Sequence, residues 1–371
     1  MKYKVVDYLE NIIKFDKKHT QVIKGLAILF MVLHHVGSLY YNQIDLSWYA
    51  RNSRDVPEMI LLFFSTGGKV CVSLFTIMSG FGLAKSYGRY SQRRNSVGGD
   101  IRFILAHLIQ FYSIYWIAFL LRLGMQCYTP DRFQQVFGSD SAAVLRFIAG
   151  FFGLSTLFNL RGLCDWFVTA IIILYLVFPL LYRMGKHLRY GLIVIGAVPW
   201  VVRWFIPTMH VDTVLFCLMS FATGIILAQT DLLDKLCALK GLKVKIISAV
   251  AVIAAFGLRL IFSLYADWFF ALTLIVFCTL VLSETKGVNR FLMLFGSHSA
   301  NIWLLHVAIL RLINELLTLP VLLRYIVVLA AALCISLLLE WIKKKTKYNT
   351  LIRKLRQHVE AECLGSQCPF G

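Results

Sequence analysis

Two adjacent histidines, His34 and His35, stand inside the first strongly apolar run of the chain, Lys24-Gly-Leu-Ala-Ile-Leu-Phe-Met-Val-Leu-His-His35-Val. If that run is helical, the step from Lys24 to His35 advances the chain about 16 Å and returns it to within about 20° of its starting direction. A cation at a membrane edge and an imidazole near the bilayer middle then share one face. Ionisable groups at that depth are costly, and those that persist usually carry function. An imidazole titrates near neutral pH, which suits a general base that takes a proton from an attacking hydroxyl. The alternative is a histidine satisfied by a neighbouring helix. A second intramembrane histidine closes the run Phe295-Gly-Ser-His298-Ser299-Ala-Asn301-Ile-Trp303-Leu-Leu-His306. His306 either converges on His35 or hydrogen-bonds its own surroundings. Ser79, Ser299, Asn301 and His306 are able to donate to a developing oxyanion. His34, about 100° round the helix from His35, orients it or packs elsewhere.

The elements that must hold these groups are membrane helices. Of 371 residues, 59% are hydrophobic and only 15% charged, far from the balance of a soluble domain. Ten segments have the length and apolarity of a span: 20–41, 69–87, 101–124, 165–185, 189–207, 212–229, 245–262, 268–284, 296–315 and 320–342. The expected fold is an all-α polytopic bundle of about ten transmembrane helices. With both ends cytoplasmic, most lysines and arginines fall on the inner side, as the positive-inside rule requires. An eleventh apolar segment, 141–158, carries Arg146; counting it as a pass would invert every later loop, so it reads as re-entrant or surface-lying. Residues 1–19 read as an amphipathic cytoplasmic segment, 20–342 as the membrane domain and 343–371 as a basic cytoplasmic tail.

The net charge of +19 does not imply nucleic acid, because the charges cluster between apolar runs and no nucleic-acid motif is present. The cysteines form neither a Cys-x-x-Cys nor a zinc-type spacing, so no structural metal is implied. The outer segments 42–68 and 125–164 suit recognition of a hydrophilic substrate, or serve as ordinary connections.

Four patterns occur in order: Lys24-x10-His35; Ser73-Leu-Phe-Thr-Ile-Met-Ser79-Gly80-Phe81; Asp165-Trp166-Phe167-Val168 running on to Tyr175-Leu-Val-Phe-Pro179; and Phe295 to His306. Together, across roughly residues 20–340, they resemble acyltransferase family 3 of bacterial inner-membrane proteins. The resemblance implies transfer of an acyl group, most often acetyl, from acyl-coenzyme A to a hydroxyl of a surface or exported carbohydrate. It places the catalytic histidine at His35, its basic partner at Lys24, and the second intramembrane histidine at His306. It also implies a basic lead into the third span, here Arg102, although Gln110 and Ser113 stand where the family commonly has Arg and Pro.

On that reading acetyl-coenzyme A is a co-substrate and no cofactor is bound permanently. Its phosphates would lie among Lys24, Lys85, Arg89, Arg93, Arg94 and Arg102, arginine binding phosphate through its fork of donors. The alternative for each is a topogenic charge. Asp165, Trp166 and Asn301 are the candidate substrate contacts. Asp165 and Trp166 suit the hydroxyls and apolar face of a sugar, or else a helix cap and an interfacial tryptophan. Arg203 and Arg259 snorkel or line an acceptor cavity. The partners implied are acyl-coenzyme A, the bilayer, and a polysaccharide, lipid-linked glycan or glycolipid. The rival reading is a transporter of a lipid-linked saccharide or small solute, although repeated halves and matched broken helices are absent from the sequence.

Overall fold

The computed structural model describes residues 14–41, 56–92, 96–160, 162–163, 166–205 and 213–361. Residues 1–13 of the expected N-terminal amphipathic segment, residues 42–55 and residues 362–371 of the tail lie outside these. Among the described residues the chain is all-α. In order the helices are α1 (Lys17–Tyr41), α2 (Val56–Gly67), α3 (Val70–Ser91), α4 (Val97–Gln126), α5 (Pro130–Phe137), α6 (Ala143–Phe151), α7 (Trp166–His187) and α8 (Arg189–Phe205). There follow α9 (Thr213–Gln229), α10 (Leu232–Cys237), α11 (Leu242–Phe262), α12 (Asp267–Phe277), α13 (Lys286–Ser297), α14 (Ser299–Leu316), α15 (Val321–Lys345) and α16 (Tyr348–Ala361).

Among the described residues, six helical stretches are long and apolar enough to cross a membrane, and a seventh counts if the broken pair α13–α14 is one span. The expectation of about ten exceeds this at identifiable places. α8 and α9 are apolar but only 17 residues each, short of the about 20 that a bilayer takes. The passes expected at 245–262 and 268–284 fall within one stretch, Leu242–Leu282. That stretch doubles back at Ser263–Ala266. The rings of Phe256 and Phe270 meet at 5.6 Å, and Lys245 Nζ donates to Glu284 across the pair. Segment 141–158 holds only the nine-residue α6 and a 3-10 turn, too short to cross.

The chain divides into two compact units, Met1–Gly82 with Met219–Ser299, and Leu83–Leu218 with Ala300–Gly371. In the first, α1 buries Val22, Ile23, Ala27, Ile28 and Val32 and packs chiefly on α13 and α2. The α1–α13 contact is backbone to backbone. A Cβ on Gly25 would sit 2.0 Å from the Leu292 carbonyl oxygen, and one on Gly296 would sit 1.8 Å from that of Gln21. No side chain fits at either position, so glycine is required at both.

In the second unit, α4 is the spine. The last carbonyls of a helix have no partner within it, and α4 supplies partners to α6 from its aromatic side chains. Tyr115 donates to the Gly150 carbonyl, Trp116 Nε1 to that of Phe151 at 3.1 Å, and Tyr112 to that of Phe152 at 2.9 Å. The start of α6 is tied to the end of α5 by Arg146, which donates to the Phe137 carbonyl at 2.8 Å and, in the loop between, to both oxygens of Asp140 at 2.5 and 2.9 Å. This fork holds the Asp140 carboxyl below the usual carboxylate range.

Candidate active site

In the first unit, Lys24 and His35 both lie on α1, as the spacing requires. Both are half-buried. Lys24 has no hydrogen-bond or ion-pair partner among the described residues. The ring of His34 stands edge-on to that of His35, with centroids 5.4 Å apart. His34 Nδ1–H donates to the Ser65 carbonyl at the end of α2, at 3.3 Å. His34 is therefore anchored, and its ring supports His35 from one side. Around the pair are charges that spacing did not reveal. Lys69 and Arg259 lie within electrostatic reach of His34, and Arg259 makes a buried ion pair with Asp267 across the α11–α12 turn. Arg259 is thus neutralised within the protein. Ser79 is half-buried on α3, and Ser299 is buried at the start of α14. The side chain of Arg203 lies outside the described residues.

In the second unit, His306 is buried on α14, and its Nδ1–H donates to the Trp303 carbonyl at 2.6 Å. That tautomer makes Nε2 the basic nitrogen. Asn301 is committed to packing: its Nδ2 donates to Ser336 Oγ at 2.9 Å and to Glu340 Oε1 at 3.0 Å, tying α14 to α15. Trp166 opens α7, half-buried against Phe167, whose ring meets Trp303 edge-on at 5.3 Å. Asp165, Arg93 and Arg94 lie outside the described residues.

At the N-terminal end of α4 the unit has an open cleft of about 560 Å³, lined in part by Ser86, Arg89 and Tyr90 of α3, by Gln92 just beyond it, and by Gln357 and Glu360 of α16. Phe103 also lines it. One residue earlier, Arg102 is half-buried, with Nη1 buried and unpartnered among the described residues. Lys85 is half-buried one turn before Arg89 on α3. A network unseen in the sequence holds this end together. Tyr87 and Arg183 both donate to the buried Asp100, joining α3, α4 and α7. The rings of Phe103, Phe178 and Tyr182 pack on Tyr87 at 5.0, 5.4 and 4.8 Å. The tail folds back as α16: Tyr348 donates to the Ser113 carbonyl at 3.0 Å, and Arg356 to Gln110 Oε1 at 3.1 Å. Gln110 and Ser113, the two departures from the expected third-span pattern, are where α16 docks.

These groups have the chemistry of acid–base work in one unit and of anion binding in the other. The described residues hold no group of three histidine, cysteine or carboxylate side chains able to bind a metal. Residues 20–341 match the family model described as an acyltransferase domain. No curated protein and no solved structure matches the chain.

Proposed function

The chain belongs to the acyltransferase family matched over residues 20–341, a membrane acyltransferase by its fold and family, and we propose that it carries an acetyl or other short acyl group from acyl-coenzyme A to a carbohydrate hydroxyl. The observation that carries this reading is the pairing on α1 of a half-buried, unpartnered lysine with a half-buried histidine on one helix face. The lysine suits an anionic group of the donor. His35 lies about 16 Å further along, a length suited to the thin arm of coenzyme A.

His35 accepts the proton of the sugar hydroxyl as its oxygen attacks the thioester carbonyl carbon. The new C–O bond forms and the C–S bond breaks; the imidazolium returns its proton to the departing coenzyme A thiolate. His34, pinned to Ser65, keeps the His35 ring from turning away. Arg89 and Arg102 suit the nucleotide phosphates, since a guanidinium whose donors have no protein partner is satisfied by an anion. By the positive-inside rule this end of α4 faces the cytoplasm of a bacterial inner membrane, where the donor is made. The acceptor is a polysaccharide, a lipid-linked glycan or a glycolipid.

The test is coenzyme A release from acetyl-coenzyme A by the reconstituted chain, with a cell-envelope glycan extract as acceptor. Release that needs the extract and is lost in His35→Ala supports the reading. Equal release by the variant removes His35 from the chemistry and points to His306. No release and no donor binding by the wild type would favour a transporter.

A further inference from the structure

A second, smaller cavity of about 150 Å³ lies at the opposite, C-terminal end of α4. Every residue that lines it belongs to the same unit. Its polar lining comes from Gln126 at the end of α4, from Tyr128, from Arg132 and Gln135 of α5, and from Arg311 and Glu315 of α14. Arg132 Nη1 donates to Glu315 Oε1 at 2.8 Å, and its guanidinium stands 5.7 Å from the centre of the exposed Tyr128 ring. Arg311 Nη1 donates to Gln126 Oε1 at 2.8 Å. The amide nitrogen of Gln126 is buried, without a hydrogen-bond partner among the described residues.

The lining keeps one positive charge, because Glu315 answers Arg132 whereas Arg311 bonds the neutral Gln126; the carboxylate within it disfavours a phosphate. It suits hydroxyls. A guanidinium offers paired donors and a carboxylate paired acceptors, each matching two neighbouring hydroxyls, while a carboxamide supplies one of each. The phenol ring adds a flat face for the C–H side of a pyranose. A volume of about 150 Å³ holds roughly five waters, about what a single pyranose ring displaces. The Arg132–Glu315 pair is too exposed to add much stability. Along α4, Gln126 stands about 34 Å from Phe103 of the first cavity, close to the about 30 Å of a bilayer core.

We propose that this cavity is an acceptor subsite that holds one glycosyl unit of the carbohydrate through its hydroxyls. The use of that sugar rests on the transferase reading above; the binding of it does not.

The experiment uses the full purified chain as wild type, Arg132→Gln, Glu315→Gln and the charge-reversed double variant Arg132→Glu with Glu315→Arg. Sugar affinity is read by thermal shift with a panel of methyl glucoside, methyl galactoside, methyl rhamnoside and N-acetylglucosamine. Acceptor kinetics are read with the glycan extract. The expected result is stabilisation of the wild type by at least one panel sugar, and affinity at least tenfold weaker in all three variants. KM for the extract should rise at least tenfold, with kcat and the KM for acetyl-coenzyme A within threefold. A merely structural ion pair would be restored by the charge reversal, so recovery of affinity in the double variant overturns the proposal. So does unchanged KM in the variants, or a wild type that no panel sugar stabilises. A wild type that binds sugar but never releases coenzyme A leaves the subsite standing and removes the transferase.

Discussion

The two ends of α4 differ in the one respect that decides what each can hold. At its N-terminal end, Arg102 has a buried donor without a protein partner, beside a cavity that Arg89 lines. At its C-terminal end, Arg132 and Arg311 both have partners, in Glu315 and Gln126. Arginine is common to both, but a guanidinium with a free buried donor selects an anion, whereas one answered by a carboxylate, as Arg132 is by Glu315, contributes geometry without net charge; Arg311, bonded to a neutral amide, keeps its charge. Residue type alone therefore says little about a ligand; the partner across the cavity says more.

The largest effect separates chemistry from both ends. His35→Ala should lower turnover by about 10²–10⁴-fold while thermal-shift affinities for acetyl-coenzyme A and for sugar stay within threefold; a tenfold change in either affinity would mean that His35 shapes a binding site. Next, Arg89→Gln with Arg102→Gln should raise the KM for acetyl-coenzyme A by about 10–100-fold and leave that for the glycan extract unchanged. Raising the salt concentration should weaken the donor several-fold and the acceptor hardly at all; equal sensitivity at both would erase the contrast.

A smaller effect tests the wall of the larger cavity. Tyr348→Phe removes the α16 hydrogen bond to Ser113 at a cost of about 1 kcal/mol, which limited proteolysis should register as faster cleavage within 348–361. The smallest concerns the scaffold of the other end. The Asp140 carboxyl is held below its usual range by Arg146, so its contribution is full above the ordinary carboxylate range and is lost as pH falls through the lowered value. Asp140→Asn should lower Tm by no more than about 2 °C at pH 7, and the deficit should vanish in acid; a deficit that persists there would assign it to packing.

The helix that carries Lys24 and His35 was legible, because period and burial agree along α1. Gly25 and Gly296 were visible as members of two patterns, but their mutual role was not, since contact between helices leaves no period in a sequence. The same reason hid Lys69, the Arg259–Asp267 pair, the Tyr87–Asp100–Arg183 network and Arg132–Glu315, whose partners lie 183 residues apart. Apolar length did show the turn within Leu242–Leu282, since two passes were expected there at 245–262 and 268–284, whereas the described parts of α8 and α9 span only 17 residues each. The tail read as a basic appendage because α16 is amphipathic and buries no residue fully; its docking rests on a few polar bonds.

The backbone contact of α1 with α13 also has a mechanical consequence. At Gly25 and Gly296 no side chain stands between the two helices, so neither helix can shift there by a change of rotamer. The distance from Lys24 to His35 then works as a fixed ruler, set by the chain and not by whatever lies along it. A ruler of constant length cannot stretch to suit a longer cargo. On the proposed reading, a choice among acyl chains is then made sideways, by the side chains that surround His35.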